Sequence, residues 1–400
     1  MRQHGRILPR ALERLNIKRG GVASALAAAV VVAVAILTLP LPIYAAEKIV
    51  TPVVTKSVAQ QHKDGPQTWQ SIADANVGEP ITYQIKGTLP TNWEDFTTYQ
   101  YEFHDRPDAA LVIDASSVKI ELVNESGSVK CNLTDGFVVT APSARGAEWT
   151  ATASDLKALA PNATAKDAVV LTYKATLDPA KAKPGTDNPY RNVAYLMYSS
   201  QPLIQNAVGR SKDAEASIVT WALSLTKVDS RNQDNKLAGA VFTVRASDGC
   251  YLAQDGSHVS RSVEHKTDAD GVIRIDGIAG GTYTVAETCA PKGFAKYAEP
   301  FHVTIDACLT AADPTLTVSV PESNASAKAD PAKGVASLRV PNAPAEDGAT
   351  DTAKHGPSVL GMPQTGDTSL DAAVAAVTLG FICIVVALAI ARRNKNQDRG

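Results

Sequence analysis

The chain has 400 residues, 44 % of them hydrophobic, and a net charge of −2, which is material enough for two or three folded domains. Aromatic residues make up 6 % and there are three methionines, a composition that argues against a large helical enzyme. The near-zero charge excludes a protein that binds nucleic acid by bulk electrostatics.

Charge is concentrated at the two ends. Arg2, Arg6, Arg10, Arg14, Lys18 and Arg19 precede an uncharged apolar run over 22–39. A basic leader followed by a short apolar core has the form of a secretory signal peptide, here 1–46. Pro40 and Pro42 break any helix, and Ile43-Tyr44-Ala45-Ala46 offers small residues for cleavage after Ala45 or Ala46. A retained anchor is the alternative reading, but the run is marginal against the roughly 20 residues a spanning helix needs.

The body shows no sustained helical periodicity. Val118-Lys-Ile-Glu-Leu-Val123, Ala168-Val-Val-Leu-Thr-Tyr173 and Val241-Phe-Thr-Val244 read as strands. Asp135-Gly136, Asp248-Gly249, Asp255-Gly256 and Asp270-Gly271 read as turns. Strands at this spacing predict an all-β fold of two Ig-like β-sandwich domains in tandem, 47–206 and 220–343. One helical turn is expected at 154–159, with Ser154 as its cap. A junction is expected near 206–220, and 310–334 reads as a long excursion of the second domain. Residues 344–361, rich in Ala, Pro, Gly, Asp and Thr, read as a polar linker.

In the first block Val53-Val-Thr-Lys56-Ser-Val58 opens, Thr98-Tyr-Gln-Tyr-Glu-Phe103-His104-Asp105 follows, and Asn192-Val-Ala-Tyr-Leu196-Met-Tyr198-Ser199 closes. Together these resemble the isopeptide-forming domain of Gram-positive fimbrial proteins. The resemblance implies that a lysine on the first strand attacks the side-chain amide of an asparagine on the last, releasing ammonia, while a carboxylic acid shuttles protons. Burial favours that chemistry, because desolvation pushes a lysine toward the neutral amine and an acid toward its protonated form, and folding holds the groups at contact. On the resemblance Lys56 is the nucleophile, Asp105 the acid and Asn192 the acceptor. Asp95, Asp108 and Asp114 compete with Asp105, and Arg106-Pro107 departs from the usual residues after the acid.

The second block carries Leu225-Thr-Lys227-Val-Asp229, then Tyr283-Thr-Val-Ala-Glu287-Thr-Cys-Ala-Pro291-Lys-Gly-Phe294, then Leu338-Arg-Val340-Pro-Asn342. This order resembles the collagen-adhesin B-type domain of SpaA-like pilins and adhesins. Phe294 stands where Tyr is common. The resemblance makes Lys227 the nucleophile, Glu287 the acid and Asn342 the acceptor. Pro341 departs from the pattern, and its missing N–H predicts a displaced acceptor strand. Asp268-Ala-Asp270-Gly271 resembles a calcium loop only faintly and is read as a turn. Of the five cysteines, Cys250, Cys289 and Cys308 share this block, Cys131 is alone in the first, and Cys383 lies in the C-terminal apolar run. Secretion permits one disulfide among the three, which spacing does not assign.

At the end, Met362-Pro363-Gln364-Thr365-Gly366 precedes the uncharged run 372–391 and the basic residues Arg392, Arg393, Lys395 and Arg399. The run is long enough to span a bilayer, and the basic tail keeps the C-terminus in the cytoplasm. Pentapeptide, transmembrane helix and tail, together 362–400, resemble the LPXTG sorting signal of Gram-positive surface proteins, with Met362 in place of Leu. The resemblance implies a sortase that cleaves between Thr365 and Gly366 and passes the Thr365 carbonyl to an amine. The expected protein is therefore extracellular, wall-anchored from a membrane-inserted precursor, and without cofactor, metal or nucleic acid. It is expected to be a pilin whose partners are a sortase and either the peptidoglycan cross-bridge or another pilin subunit. The alternative is a monomeric wall-anchored adhesin that binds a host ligand. No YPK-like linkage motif appears, which favours a minor or basal pilin or the adhesin; Lys181 and Lys183 are candidate linkage lysines. No enzyme motif appears either.

Overall fold

A computed structural model describes residues 51–60, 68–297, 299–310, 314–321 and 323–345. The signal segment, most of the polar linker, the pentapeptide, the C-terminal apolar run and the basic tail lie outside the described residues.

Period-two alternation governs the body. In the stretch Ile81-Thr-Tyr83-Gln-Ile85-Lys-Gly87-Thr88 every second residue is buried, so one face is committed to a core and the other to solvent. The first sandwich comprises β1 (Val54–Gln60), β2 (Thr68–Gln70), β3 (Ile72–Asp74), β4 (Ile81–Thr88), β5 (Tyr101–Pro107), β6 (Leu111–Val123), β7 (Val129–Asn132), β8 (Val138–Thr140), β9 (Trp149–Ala153), β10 (Ala168–Leu177), β11 (Tyr190–Ser199), β12 (Val208–Arg210) and β13 (Ala214–Val219). One sheet runs β2-β1-β4-β10-β6-β7, and the facing sheet runs β3-β13-β11-β5-β9-β8 with β12 beside β11. Tyr83, Tyr101, Phe103, Trp149 and Tyr173 fill the space between them.

The second sandwich comprises β14 (Trp221–Asp229), β15 (Val241–Ala246), β16 (Tyr251–Leu252), β17 (His258–Val259), β18 (His265–Lys266), β19 (Val272–Ile278), β20 (Gly281–Cys289), β21 (Phe301–Cys308), β22 (Thr315–Ser319), β23 (Ser326–Asp330) and β24 (Val335–Asn342). A four-stranded sheet, β19-β14-β24-β23, packs on β17-β16-β15-β20-β21-β22, with β18 beside β15. Trp221, Phe242 and Phe301 are fully enclosed there. The first and last strands, β14 and β24, lie side by side and parallel.

Four local expectations change. Residues 208–219 are not a bare junction: β12 and β13 both pair with β11 and complete the first sandwich. Residues 315–330 are not an excursion either, since β22 pairs with β21 and β23 with β24. The short helix α1 (Leu156–Leu159) is capped by Asp155, whose carboxylate accepts the Lys157 N–H, rather than by Ser154. Pro341 does not displace β24, which keeps register with β14 through Val228↔Pro341 and Asp229↔Asn342. The other neighbour, β23, stops pairing at Arg339, so the missing proline N–H leaves no carbonyl stranded across that edge.

The two sandwiches meet through short polar loops. Asp74, at the end of β3, accepts the Trp221 indole N–H at 2.7 Å and the Gly280 N–H at 2.6 Å. Asn76 accepts the Ala279 N–H at 2.7 Å, and the Val77 N–H reaches the Gly277 carbonyl at 2.9 Å. β3 also pairs parallel with β13, the strand that leads into the second sandwich.

Candidate functional site: two buried lysine–acid–asparagine clusters

In the first sandwich Lys56 lies on β1, and its side chain crosses the core to the facing sheet, which carries Asp105 on β5 and Asn192 on β11. β5 and β11 are paired neighbours, with Ala194 opposite Asp105, so the acid and the amide project from adjacent strands. All three are buried; Lys56 is 6 % exposed, Asp105 1 % and Asn192 0 %. A lysine this deep needs a partner. Its Nζ donates to Asp105 Oδ1 at 2.7 Å and to the Tyr173 hydroxyl at 3.0 Å.

Tyr173 is the group that sequence reasoning missed. Its hydroxyl donates to Asp105 Oδ2 at 2.5 Å and accepts from Asn192 Nδ2 at 2.6 Å. It therefore links the acid to the amide nitrogen that would depart. The Trp149 indole N–H fixes Asp105 Oδ2 from another side at 3.1 Å. Asp108 and Asp114 are engaged elsewhere, accepting from Ala110 and Ser116, and Asp95 sits in the 3₁₀ turn Trp93–Asp95. Burial pushes the Lys56 ammonium down from its ordinary pKa, with Asp105 opposing. Burial also pushes the Tyr173 phenol well above its ordinary value, so it stays a neutral donor and relay.

In the second sandwich Lys227 on β14 is fully enclosed. The parallel register sets Lys227 opposite Val340. Nζ donates to the Val340 carbonyl at 2.8 Å and to Asn342 Oδ1 at 2.5 Å. Asn342 Nδ2 in turn donates to both oxygens of Glu287, at 3.0 and 3.1 Å. Glu287 projects from β20 in the facing sheet, and its Oε2 is held by the Tyr297 N–H at 2.6 Å. Burial brings the Lys227 pKa down to about 8, with Glu287 pulling the other way. The Lys227 nitrogen also stands 6.0 Å over the Phe242 ring and 5.9 Å over the Tyr297 ring.

Each expected trio is thus brought together, one per sandwich. In the second, the carboxylate touches the amide nitrogen directly; in the first, a tyrosine hydroxyl stands between them. One expectation shifts: Asn192 is not on the last strand of its sandwich, because β12 and β13 follow it. The pentapeptide 362–366 lies outside the described residues. Cys131, Cys250, Cys289 and Cys308 are free thiols. Asp268 accepts the N–H groups of Asp270 and Val272, which makes its loop a turn.

Residues 222–318 match the family described as SpaA, prealbumin-like fold domain. No curated protein matches the chain. Among solved structures, the C-terminal 35 kDa fragment of the major pilin GBS80 of Streptococcus agalactiae is 20 % identical with a TM-score of 0.50; the match covers 64 % of this chain and 91 % of that one. The pilus 2b backbone protein of group B streptococcus is likewise 20 % identical with a TM-score of 0.50, covering 69 % of this chain and 96 % of that one. The chain accordingly has a pilin-like, nearly all-β fold, and its second sandwich matches the prealbumin-like domain of the SpaA family.

Proposed function

We propose that this chain is a structural surface protein of a Gram-positive cell, a pilin subunit whose two sandwiches are each closed by a Lys–Asn isopeptide bond. The observation that carries the reading is the pair of buried trios, Lys56–Asp105–Asn192 and Lys227–Glu287–Asn342. In each, the neutral amine attacks the asparagine Cγ, forming a C–N bond. The attacking nitrogen gives up one proton to the acid, and the acid passes one on to the amide nitrogen, which leaves as ammonia, so the acid ends as it began. Amine plus primary amide gives secondary amide plus ammonia, and no cofactor enters. Asp105 acts through Tyr173, whereas Glu287 acts on Asn342 Nδ2 directly. The pilin-like fold supports assembly with other subunits, and the pentapeptide at 362–366 supports anchoring by a sortase.

The test is the intact mass of residues 47–365, reduced and denatured. The expected mass is lower than that of the linear chain by two ammonia molecules, and Lys56→Ala or Lys227→Ala restores one each. No deficit would leave two ordinary sandwiches. Denaturing gels of wall extracts then separate the polymer from the monomeric adhesin: a ladder means a pilus, a single band the adhesin.

A further inference from the structure

One cluster lies outside both trios. Asp248, Gly249 and Cys250 form the tip of the hairpin between β15 and β16, with Gly249 at φ +91° closing the turn. Asp248 Oδ1 accepts the Cys250 N–H at 2.8 Å, which fixes the carboxylate and leaves Oδ2 free to point at His258 Nδ1, 2.7 Å away. His258 stands on β17, held opposite Leu252 of β16. One donor atom each from Asp248, Cys250 and His258 fall within 4.8 Å of one another. Glu79 of the other sandwich stands beside this set, its Oε1 3.0 Å from the same His258 nitrogen. Asn76 orients Glu79 by donating to its Oε2 at 3.0 Å.

Two carboxylates therefore converge on one imidazole nitrogen beside a thiol. The nearest cation besides the imidazole is Arg245, which donates to the Gly249 carbonyl at 2.9 Å. The set O, O, N, S suits a four-coordinate divalent ion of the zinc type. Ligand atoms around tetrahedral zinc stand roughly 3.3 Å apart at the usual bond lengths, so on binding Asp248 Oδ2, now 2.7 Å from Nδ1, and Glu79 Oε1, now 3.0 Å from it, withdraw slightly, while the remaining donors, within 4.8 Å of one another, close in. Glu79, Asp248 and His258 also line a cavity of about 390 Å³ between the sandwiches, which gives an ion access. His258 Nε2 is buried with no hydrogen-bond partner among the described residues. The outer support that strengthens most histidine ligands is missing, so binding weaker than that of a structural zinc finger is expected.

We propose that Asp248, Cys250 and His258 of the second sandwich, with Glu79 of the first, form a binding site for a divalent transition metal that ties the two sandwiches together. On binding, Cys250 loses its thiol proton to water and the sulfur takes the metal; no oxidation state changes.

The test is a titration of the reduced, metal-free full chain with Co²⁺, followed by Zn²⁺. Expected are one Co²⁺ per chain, tetrahedral visible bands, a sulfur-to-cobalt band in the near-ultraviolet, and displacement by Zn²⁺. Cys250→Ser should abolish the sulfur band. His258→Ala and Asp248→Asn should each weaken binding by at least about tenfold. Glu79→Gln should weaken it to a similar degree while keeping the sulfur band, since Glu79 belongs to the other sandwich. The absence of a cobalt spectrum in the parent at large excess overturns the site, and that result does not depend on any variant folding. A sulfur band that survives Cys250→Ser places the metal elsewhere and overturns it too. Unchanged affinity in Glu79→Gln removes the bridge between sandwiches.

Discussion

A lysine with its charge stripped of water is a different reagent from a surface lysine. Lys227 shows the consequence in a measurable form. Its pKa falls from 10.5 to about 8 on burial, so between those values the unfolded chain binds a proton that the folded chain does not, and stability rises with pH. We expect this in Asn342→Ala, which keeps the lysine but has no amide to attack. Its unfolding free energy should climb above pH 8 by up to about 1.4 kcal/mol per pH unit and level off below. The parent should lack that slope, because an amide nitrogen does not titrate; denaturant melts of both across this range read the difference. In the first sandwich the informative residue is Tyr173. Tyr173→Phe keeps the ring and deletes the hydroxyl that joins Asp105 to Asn192 Nδ2. Losing a proton relay of this kind should slow closure by about 10²-fold or more. Mass spectra taken during refolding would show the second bond formed and the first delayed; equal rates would remove Tyr173 from the chemistry.

At the scale of strands and loops, pairing explains what could be read in advance. The strands read from apolar patterning, 118–123, 168–173 and 241–244, form within β6, β10 and β15, and three of the Asp-Gly turns form too, with Gly249, Gly256 and Gly271 at positive φ. The six trio residues were legible because the motifs around them resemble known domains and because a lysine centred in an apolar strand is unusual. Tyr173 was not legible: a tyrosine in an apolar strand reads as packing, and only the fold places its hydroxyl between an acid and an amide. β12, β13, β22 and β23 were missed because short or polar strands owe their form to a neighbour rather than to their own pattern. The Asp248–Cys250–His258 set escaped for a similar reason, since Glu79, which stands beside it, comes from the other sandwich. The loops at the junction also met unannounced. Gly185 and Gly334 approach so closely that a Cβ on Gly334 would stand 2.1 Å from the Gly185 nitrogen, and Gly334 has φ +67°. Gly334→Ala should therefore destabilise by roughly 1–3 kcal/mol through strain, seen as a lower melting temperature, while the intact mass stays that of the parent.

Across the whole molecule, the places where the two bonds would sit divide the chain unequally. Closing Lys56 to Asn192 encloses residues 57–191, and closing Lys227 to Asn342 encloses 228–341. By analogy with disulfides, each loop would remove about 5 kcal/mol of chain entropy from the unfolded state. Because β12 and β13 follow Asn192 in the chain, residues 193–226 belong to neither loop. A pull applied at the two termini would travel through the lysine and asparagine side chains and bypass the sheets, except in this stretch. In the metal-free chain it meets hydrogen bonds there, among them β13 on β11 and β3, and Asp74 on Trp221 and Gly280. Single-molecule stretching should show one short lengthening step of no more than roughly 120 Å, the full reach of residues 193–226; long steps would mean that a loop was open. With both bonds closed, the two strands that follow Asn192 would make the junction a recoverable shock absorber between two inextensible links.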